Sequence, residues 1–195
     1  MIKKYGPWEI KSSKVVYKNP WMKVIEDKVI RPDKKLGIYA VAKIQPGVSI
    51  LPIDKKGYVY LVREFKYPLG KYTIVAAGGG REKNEKPIAT AKRELEEELG
   101  IRAKKWAYVG KYDPATGIVD CPQHLFIAEN LTFTNKNYEG TETMTTVKTK
   151  LDEALKLIKQ GKITEGEARV LLLEAKLRQL KQRKLYKQNQ FQNLC

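Results

Sequence analysis

Glycine, arginine and glutamate residues recur in the middle of the chain with a spacing that suits chemistry on a charged substrate. The charged members are Glu85, Arg93, Glu94, Glu97 and Glu98. Residues three and four apart share one face of a helix, so Glu94, Glu97 and Glu98 would lie together. Such crowding costs stability unless a cation binds, and hard oxygen ligands suit Mg²⁺ or Mn²⁺. The pattern therefore predicts a metal-dependent phosphate site.

One short helix must carry these carboxylates. Pro87 near its first position and Gly100 just past its last are start and stop signals, which predict a helix over about Pro87–Leu99. One narrow apolar stripe of this helix, which would dock on a core, consists of Ile88, Leu95 and Leu99. Just before it, Gly78–Gly80 would let the backbone leave a strand and approach an ion or a phosphate closely.

The full array resembles the Nudix box. Its pattern is Gly, five residues, Glu, seven residues, then Arg-Glu-apolar-any-Glu-Glu-any-Gly-apolar, and the chain meets every specified position from Gly79 to Ile101. Ordinary residue frequencies give a chance match on the order of 10⁻⁷. The resemblance implies metal-dependent hydrolysis of a nucleoside diphosphate linked to another moiety. The metal ligands it implies are Glu94 and Glu98, assisted by Glu97 and the Gly78 carbonyl. Arg93 and Glu85 would orient these carboxylates.

Flanking sequence resembles the ADP-ribose pyrophosphatase branch of that family. Residues Tyr60–Gly80 are similar to the strand, loop and strand that lead into the box in this branch. Residues Tyr112–Leu131 are similar to its loop containing Pro and Gly and the buried strand that follows. The resemblance implies two monophosphate products, such as AMP and ribose 5-phosphate.

The same resemblance implies a set of substrate-binding residues. They are Arg63 and Lys66, with Trp21 and Tyr39 as a ring pair around adenine. Core packing is the alternative for both rings. The branch commonly has Arg at position 66, Glu at 75 and Pro at 77, whereas this chain has Lys66, Val75 and Ala77. Lysine lacks the bidentate fork of arginine, and Val75 removes a carboxylate, so the exact substrate stays open.

A base must also take a proton from the attacking water. In this branch it is often a glutamate on a loop well after the box, and residues 135–148 align with that loop by position. Glu142 is the first choice, a box glutamate such as Glu97 is an alternative, and Glu139 and Asp120 are further candidates. Two other functions remain open: hydrolysis of nucleoside triphosphates or dinucleoside polyphosphates, and RNA or nucleotide binding without hydrolysis.

Strand-like runs and the resemblance together predict the fold class. We expect an α/β (α+β) fold, a Nudix-type α-β-α sandwich with a mixed sheet and a C-terminal helix. The expected strands lie at 14–17, 22–31, 37–44, 49–53, 58–65, 72–76, 106–112, 124–128 and 144–148. Residues 1–46 would form a small strand subdomain, and 47–195 the hydrolase domain. The N-terminal strands resemble those with which ADP-ribose pyrophosphatases form homodimers.

Composition bounds the remaining partners. The 195 residues are 42% hydrophobic, enough for one good core, and no apolar run approaches the length of a membrane span or a signal peptide. A cytoplasmic location is expected. The net charge of +16 makes a nucleic-acid partner worth considering, and part of the excess lies in residues 174–195. An amphipathic helix from Thr164 to about Leu185 explains that excess as a solvated face, which we favour over RNA binding. Its predicted packing residues are Val170, Leu171, Ala175, Leu177 and Leu180.

Overall fold

Two units make up the chain in the computed structural model, which describes residues 2–134 and 144–192, with side chains described as far as residue 182. The first unit takes residues 1–46 and 113–123, and the second takes residues 47–112 and 124–195. The strands are β1 (Lys3–Tyr5), β2 (Trp8–Lys18), β3 (Met22–Ile30), β4 (Leu36–Ile44), β5 (Gly47–Pro52), β6 (Tyr58–Lys66), β7 (Lys71–Val75), β8 (Ile101–Tyr112), β9 (Val119–Asp120), β10 (Gln123–Phe133) and β11 (Thr145–Lys150). The helices are α1 (Pro87–Leu99), α2 (Leu151–Lys159) and α3 (Gly166–Gln192).

The first unit is a five-stranded sheet in the order β1-β2-β3-β4-β9. A tight turn joins β2 to β3, because the side-chain oxygen of Asn19 accepts hydrogen bonds from the amides of Trp21 and Met22 at 2.9 and 2.8 Å. Strand β9 pairs in parallel with β4, and Ala42 lies opposite Val119. The three predicted N-terminal strands are present as β2 to β4. The short strands β1 and β9 were not predicted.

The second unit contains two three-stranded sheets, in the orders β5-β10-β8 and β11-β6-β7. Bridges between Ile50 and Ala77 and between Ile53 and Val59 connect them. Alternate residues of β5, β6 and β10 belong to two separate apolar clusters, so both faces of the strands are covered. Helix α1 contributes to one cluster, and α2 and α3 to the other. The predicted mixed sheet between helices is therefore confirmed.

Several predicted boundaries differ from the structure, among them those of one strand and one helix. Strand β8 begins at Ile101, directly after α1, and not at Trp106. It is an edge strand, and the exposed Lys104 and Lys105 interrupt the alternation that would have revealed its first half. Helix α3 runs over Gly166–Gln192 and so begins and ends later than predicted.

Among the side chains of α3 that the structure describes, up to residue 182, the buried ones lie in the first half of the helix. Leu171 and Leu172 are fully buried, and Ala175 is 5% exposed. The prediction that Leu177 and Leu180 pack on the core is wrong, since they are 53% and 49% exposed. Among the described residues, none of the helices combines the length and the hydropathy that a membrane span requires.

Candidate active site

Helix α1 positions the acidic array and has the predicted bounds. Its apolar stripe is anchored, because Leu95 is fully buried and Leu99 is 4% exposed. Lys86 is extended and Pro87 occupies the first turn, so the helix starts where proline costs no hydrogen bond. Gly100 ends it in the left-handed region with φ 61°, and its amide bonds the carbonyl of Glu96. The carboxylates beside this buried stripe are thus held on a fixed element.

Arg93 is the hub of a charged cluster. Its Nη1 lies 2.9 Å from a carboxylate oxygen of Glu94 and donates to Glu97 at 2.9 Å. Its Nη2 donates to the carbonyl of Gly80 at 3.2 Å and to Glu85 at 3.3 Å. The planar guanidinium can donate to several acceptors at fixed angles. One side chain therefore holds together three carboxylates and the backbone of Gly78–Gly80, which we call the glycine segment. We call Glu85, Arg93, Glu94 and Glu97 the arginine cluster.

The glycine segment lies against the glutamates of α1. The amide of Gly78 donates to Oε2 of Glu98 at 2.9 Å. A Cβ atom on Gly78 would overlap the backbone carbonyl of Val48, and one on Gly79 would lie 2.5 Å from a carboxylate oxygen of Glu94. The contact at Gly78 requires glycine, because a side chain there would displace the backbone of the neighbouring strand, whereas a side chain at Gly79 would displace the carboxylate of Glu94.

Two carboxyls of the arginine cluster have opposite pKa shifts. The hydrogen bond from Arg93 lowers the pKa of Glu85 to about 2, although partial burial opposes the shift. Burial raises the pKa of Glu94 above its usual value, although the charge of Arg93 and its hydrogen bond oppose this. A further cation near Glu94 would therefore stabilise its ionised form.

Comparison with models of protein families identifies the family of this chain. The NUDIX domain model matches residues 43–168, which is more than half of the chain. The chain belongs to the Nudix hydrolases. A second model, the nucleoside diphosphate sugar hydrolase N-terminal domain, matches residues 8–42. The predicted family is confirmed.

Individual relatives agree with the family. The ADP-ribose pyrophosphatase of Bacillus subtilis (strain 168) is 30% identical over 145 residues, which cover 73% of this chain and 78% of that protein. A CMP-5'-(N-acetyl-N-hydroxy-3-aminopropyl)phosphonate hydrolase of Streptomyces rubellomurinus is 31% identical, covering 65% of this chain and 63% of that protein. A solved structure described as ADP compounds hydrolase superposes with a TM-score of 0.80 at 16% identity, over 92% of this chain and 98% of the other. The last match supports the fold alone.

Nudix hydrolases generally use divalent metal ions. The side chains of this site can therefore be tested for whether they suit such an ion. Glutamate oxygens are hard ligands, and burial at Glu94 favours a neighbouring cation, so the residue types fit. In the described part of the chain, however, no three His, Cys, Asp or Glu side chains are grouped to hold one ion. The ligand set of Glu94, Glu97, Glu98 and the Gly78 carbonyl stays a prediction.

The predicted phosphate-binding residues lie at the end of β6. Lys66 Nζ lies 2.5 Å from a carboxylate oxygen of Glu64, and the guanidinium of Arg63 stacks 4.3 Å from the ring centre of Tyr72. Val75 is 2% exposed and belongs to the apolar cluster under α1. Valine here therefore completes the core, where a glutamate would be buried among apolar side chains.

Trp21 and Tyr39 do not form a ring pair within one chain. Trp21 is 73% exposed. Tyr39 packs edge-on against Trp8 at 5.4 Å and donates its hydroxyl to the carbonyl of Gly117 at 2.6 Å. It pairs with Asp27, whereas β3 begins at Met22, roughly 16 Å away along the strand, and Trp21 precedes that residue. Their role in adenine binding stays a prediction.

The candidate bases on the loop after the box and in the first unit are Glu142, Glu139 and Asp120. Glu142 and Glu139 lie outside the described residues. Asp120 is in β9 of the first unit, where its carboxylate pairs with Lys43 at 3.2 Å. That pairing gives Asp120 a structural partner.

Sequence reasoning missed Glu165. Its Oε2 accepts a hydrogen bond from the amide of Ala76 at 2.9 Å, two residues before Gly78. Burial raises the pKa of Glu165 to about 7. Its only sequence signal is an acid directly before the apolar pattern of a helix, and nothing in that signal indicates Ala76, which lies 89 positions earlier.

The basic face of α3 is partly neutralised. Lys176 pairs with Asp152 at 2.6 Å, and Arg178 with Glu174 at 3.3 Å. Arg178 and Lys181 also line a cavity of about 670 Å³ whose walls include no residue of the box. These pairs are consistent with the solvated face that we favoured for this helix.

Proposed function

We propose that this Nudix hydrolase cleaves the diphosphate bond of ADP-ribose or a related nucleoside diphosphate sugar, with a divalent metal ion, to give two monophosphates such as AMP and ribose 5-phosphate. The observation that carries the proposal is the combination of a complete Nudix box with an N-terminal region that matches nucleoside diphosphate sugar hydrolases. The relative from Bacillus subtilis, named ADP-ribose pyrophosphatase, supports it.

Each part of the site has a role in this reaction. Glu94 and Glu98 would hold Mg²⁺ or Mn²⁺, with Glu97 and the Gly78 carbonyl assisting. When bound, such an ion supplies charge neutralisation and a water of lowered pKa. Arg93 holds Glu94 and Glu97 in fixed positions, which reduces the reorganisation needed to reach the productive geometry.

Substrate and proton have separate partners. Lys66 and Arg63 would bind the phosphates, since both are cationic and lie on β6. Lys66 must exchange its partner Glu64 for a phosphate, so we expect its contribution to binding to be smaller than that of an arginine fork. The proton goes to Glu142, with Glu97 as the alternative.

A substrate panel tests the proposal directly. The full chain is incubated with Mg²⁺ or Mn²⁺ and ADP-ribose, NADH, GDP-mannose, diadenosine polyphosphates or oxidised dGTP, and the products are identified. We expect the highest kcat/KM for ADP-ribose or another diphosphate sugar. Faster hydrolysis of a triphosphate or a dinucleoside polyphosphate would replace the proposed substrate class. Absence of all phosphate products, together with RNA binding that depends on residues after Glu174, would select the binding alternative.

We also propose that two copies associate through the sheet of the first unit. Large apolar side chains of β2 and β4 that share one face of the sheet are exposed, among them Tyr17, Leu36 and Ile38. Exposed apolar patches of this kind mark association surfaces. Light scattering at micromolar concentration should give the mass of a dimer, and Ile38→Glu should give a monomer. A monomeric parent protein would contradict the proposal.

A further inference from the structure

The backbone that leaves β7 is held from two sides. Successive residues of an extended segment direct their hydrogen-bonding groups to alternate sides. The carbonyls of Ala77 and Gly79 accept from the amides of Ile50 and Val48 in β5 at 2.7 and 2.9 Å. The amides of Ala76 and Gly78 therefore face the other way, and carboxylates accept both.

Those two carboxylates come from different helices. Glu98 of α1 accepts from Gly78, and Glu165, directly before α3, accepts from Ala76, each at 2.9 Å. Helices α1 and α3 pack in different apolar clusters of the second unit. The segment that carries Gly78 is thus fixed by one side chain from each side of the unit.

Glu165 is rigidly placed. Its carbonyl accepts from the amide of Arg169 at 3.3 Å as α3 begins, and Ala168 in that first turn is fully buried. A Cβ atom on Gly166 would overlap the hydroxyl of Tyr112, so α3 starts in close contact with β8. The backbone of Glu165 therefore cannot shift without moving the start of a packed helix.

Charged groups from two elements surround Glu165. Burial is the main cause that raises its pKa to about 7, and the charges of Glu167 on α3 and Glu64 on β6 add to it. The hydrogen bond from Ala76 and the charge of Lys66 on β6 lower it. Because an ionised oxygen accepts the stronger hydrogen bond, the hold on Ala76 should tighten as Glu165 loses its proton.

We propose that Glu165 is a positioning residue of the active site, which sets the place of Gly78 and Gly79 against Glu98 and Glu94 by holding the amide of Ala76. It acts through the backbone and not on the substrate. The inference rests on the proposed function for its activity readout only, because amide exchange reports the contact itself.

The test compares three variants. Glu165→Leu removes the acceptor, Glu165→Gln keeps a neutral oxygen, and Glu167→Gln is the matched control that removes a neighbouring charge. By hydrogen–deuterium exchange, the Ala76 amide should lose protection at least about tenfold in E165L and stay protected in E165Q and E167Q. kcat should fall about tenfold or more in E165L, since small misplacements of reacting groups are costly.

The pH profile separates this role from a merely structural one. kcat/KM of the parent protein should rise with pH through an inflection near 7 that E165Q lacks and that E167Q moves to lower pH. An inflection that persists in E165Q, or an Ala76 amide that exchanges in E165L as it does in the parent, overturns the inference. If E165L does not fold, the pair E165Q and E167Q still decides. If no substrate is hydrolysed, the exchange data test Glu165 alone.

Discussion

Glu98 and Glu165 make the same kind of contact to one backbone segment, but their surroundings differ. Glu98 lies beside the arginine cluster, in which one guanidinium serves three carboxylates. Glu165 is partly buried and meets Lys66 only as a neighbouring charge. We call the contact of this segment with Glu98 its box side and the contact with Glu165 its α3 side. The electrostatics of the box side therefore depend mainly on charge pairing, and those of the α3 side mainly on burial. The two sides should respond differently to pH and to the loss of one charge.

The largest effect is expected at Glu98. Glu98→Gln keeps the shape of the side chain but removes a predicted metal ligand, so kcat should fall more than about a hundredfold, the upper range for partners that only support ligands. Glu96→Gln is the matched control, because Glu96 lies on the same helix and pairs with the exposed Arg102. Full activity in E98Q would show that the assigned metal site is wrong.

Loss of Arg93 should have the next largest effect. Arg93→Ala leaves Glu85, Glu94 and Glu97 without their shared donor, which should lower the free energy of unfolding by about 2–4 kcal/mol. Arg93→Lys should recover less than half of this, because an ammonium group cannot reproduce the fork. Urea denaturation at pH 7 measures both variants. Equal midpoints for R93A and the parent would show that the cluster contributes no stability.

Glu165 should make stability depend on pH near neutrality. Its pKa is raised from 4.5 to about 7 in the folded protein, so its contribution is fully present below pH 4.5 and is lost as pH rises through 7. The loss should be about 1–3 kcal/mol after allowance for solvent screening. Urea midpoints between pH 4.5 and 8 should show this decline in the parent and a weaker one in E165Q. Parallel curves would contradict it.

Glu85 should give the opposite and smallest dependence. Its pKa is lowered from 4.5 to about 2, so its contribution is present above pH 4.5 and is lost as pH falls toward 2. Because the side chain is reached by solvent, we expect only about 1 kcal/mol. The stability of Glu85→Gln should therefore fall less steeply than that of the parent protein as the pH is lowered. Thermal unfolding at pH 3 and pH 6 measures how far the unfolding temperature of each protein falls. An equal fall in the variant and the parent would argue against the pairing of Glu85 with Arg93.

Local signals predicted the box side of this comparison. Pro87 and Gly100 define the ends of α1 through backbone chemistry within a few residues, and the predicted bounds match the structure. The buried stripe of Leu95 and Leu99 follows from helical periodicity alone. The family resemblance supplied the carboxylate roles, since spacing by itself predicts only a cation.

The α3 side could not be predicted in the same way. Contact between Glu165 and Ala76 depends on how the sheet and α3 assemble, and no pattern within a short window encodes it. The same reason applies to Leu177 and Leu180, which continue the apolar pattern of α3 past the point where the core ends. Periodicity predicts which face of a helix can be buried, but the neighbouring elements decide how far along the helix burial extends.

The parallel pairing of β9 with β4 matters to anyone who wishes to shorten this protein. Residues 113–123 belong to the first unit although they lie far along the chain, and the amide of Ala42 bonds the carbonyl of Ile118 at 2.9 Å. A truncation that starts at Gly47 would leave that stretch without its strand partner. A minimal catalytic fragment would therefore need a redesigned connection between Tyr112 and His124 as well as a new N-terminus.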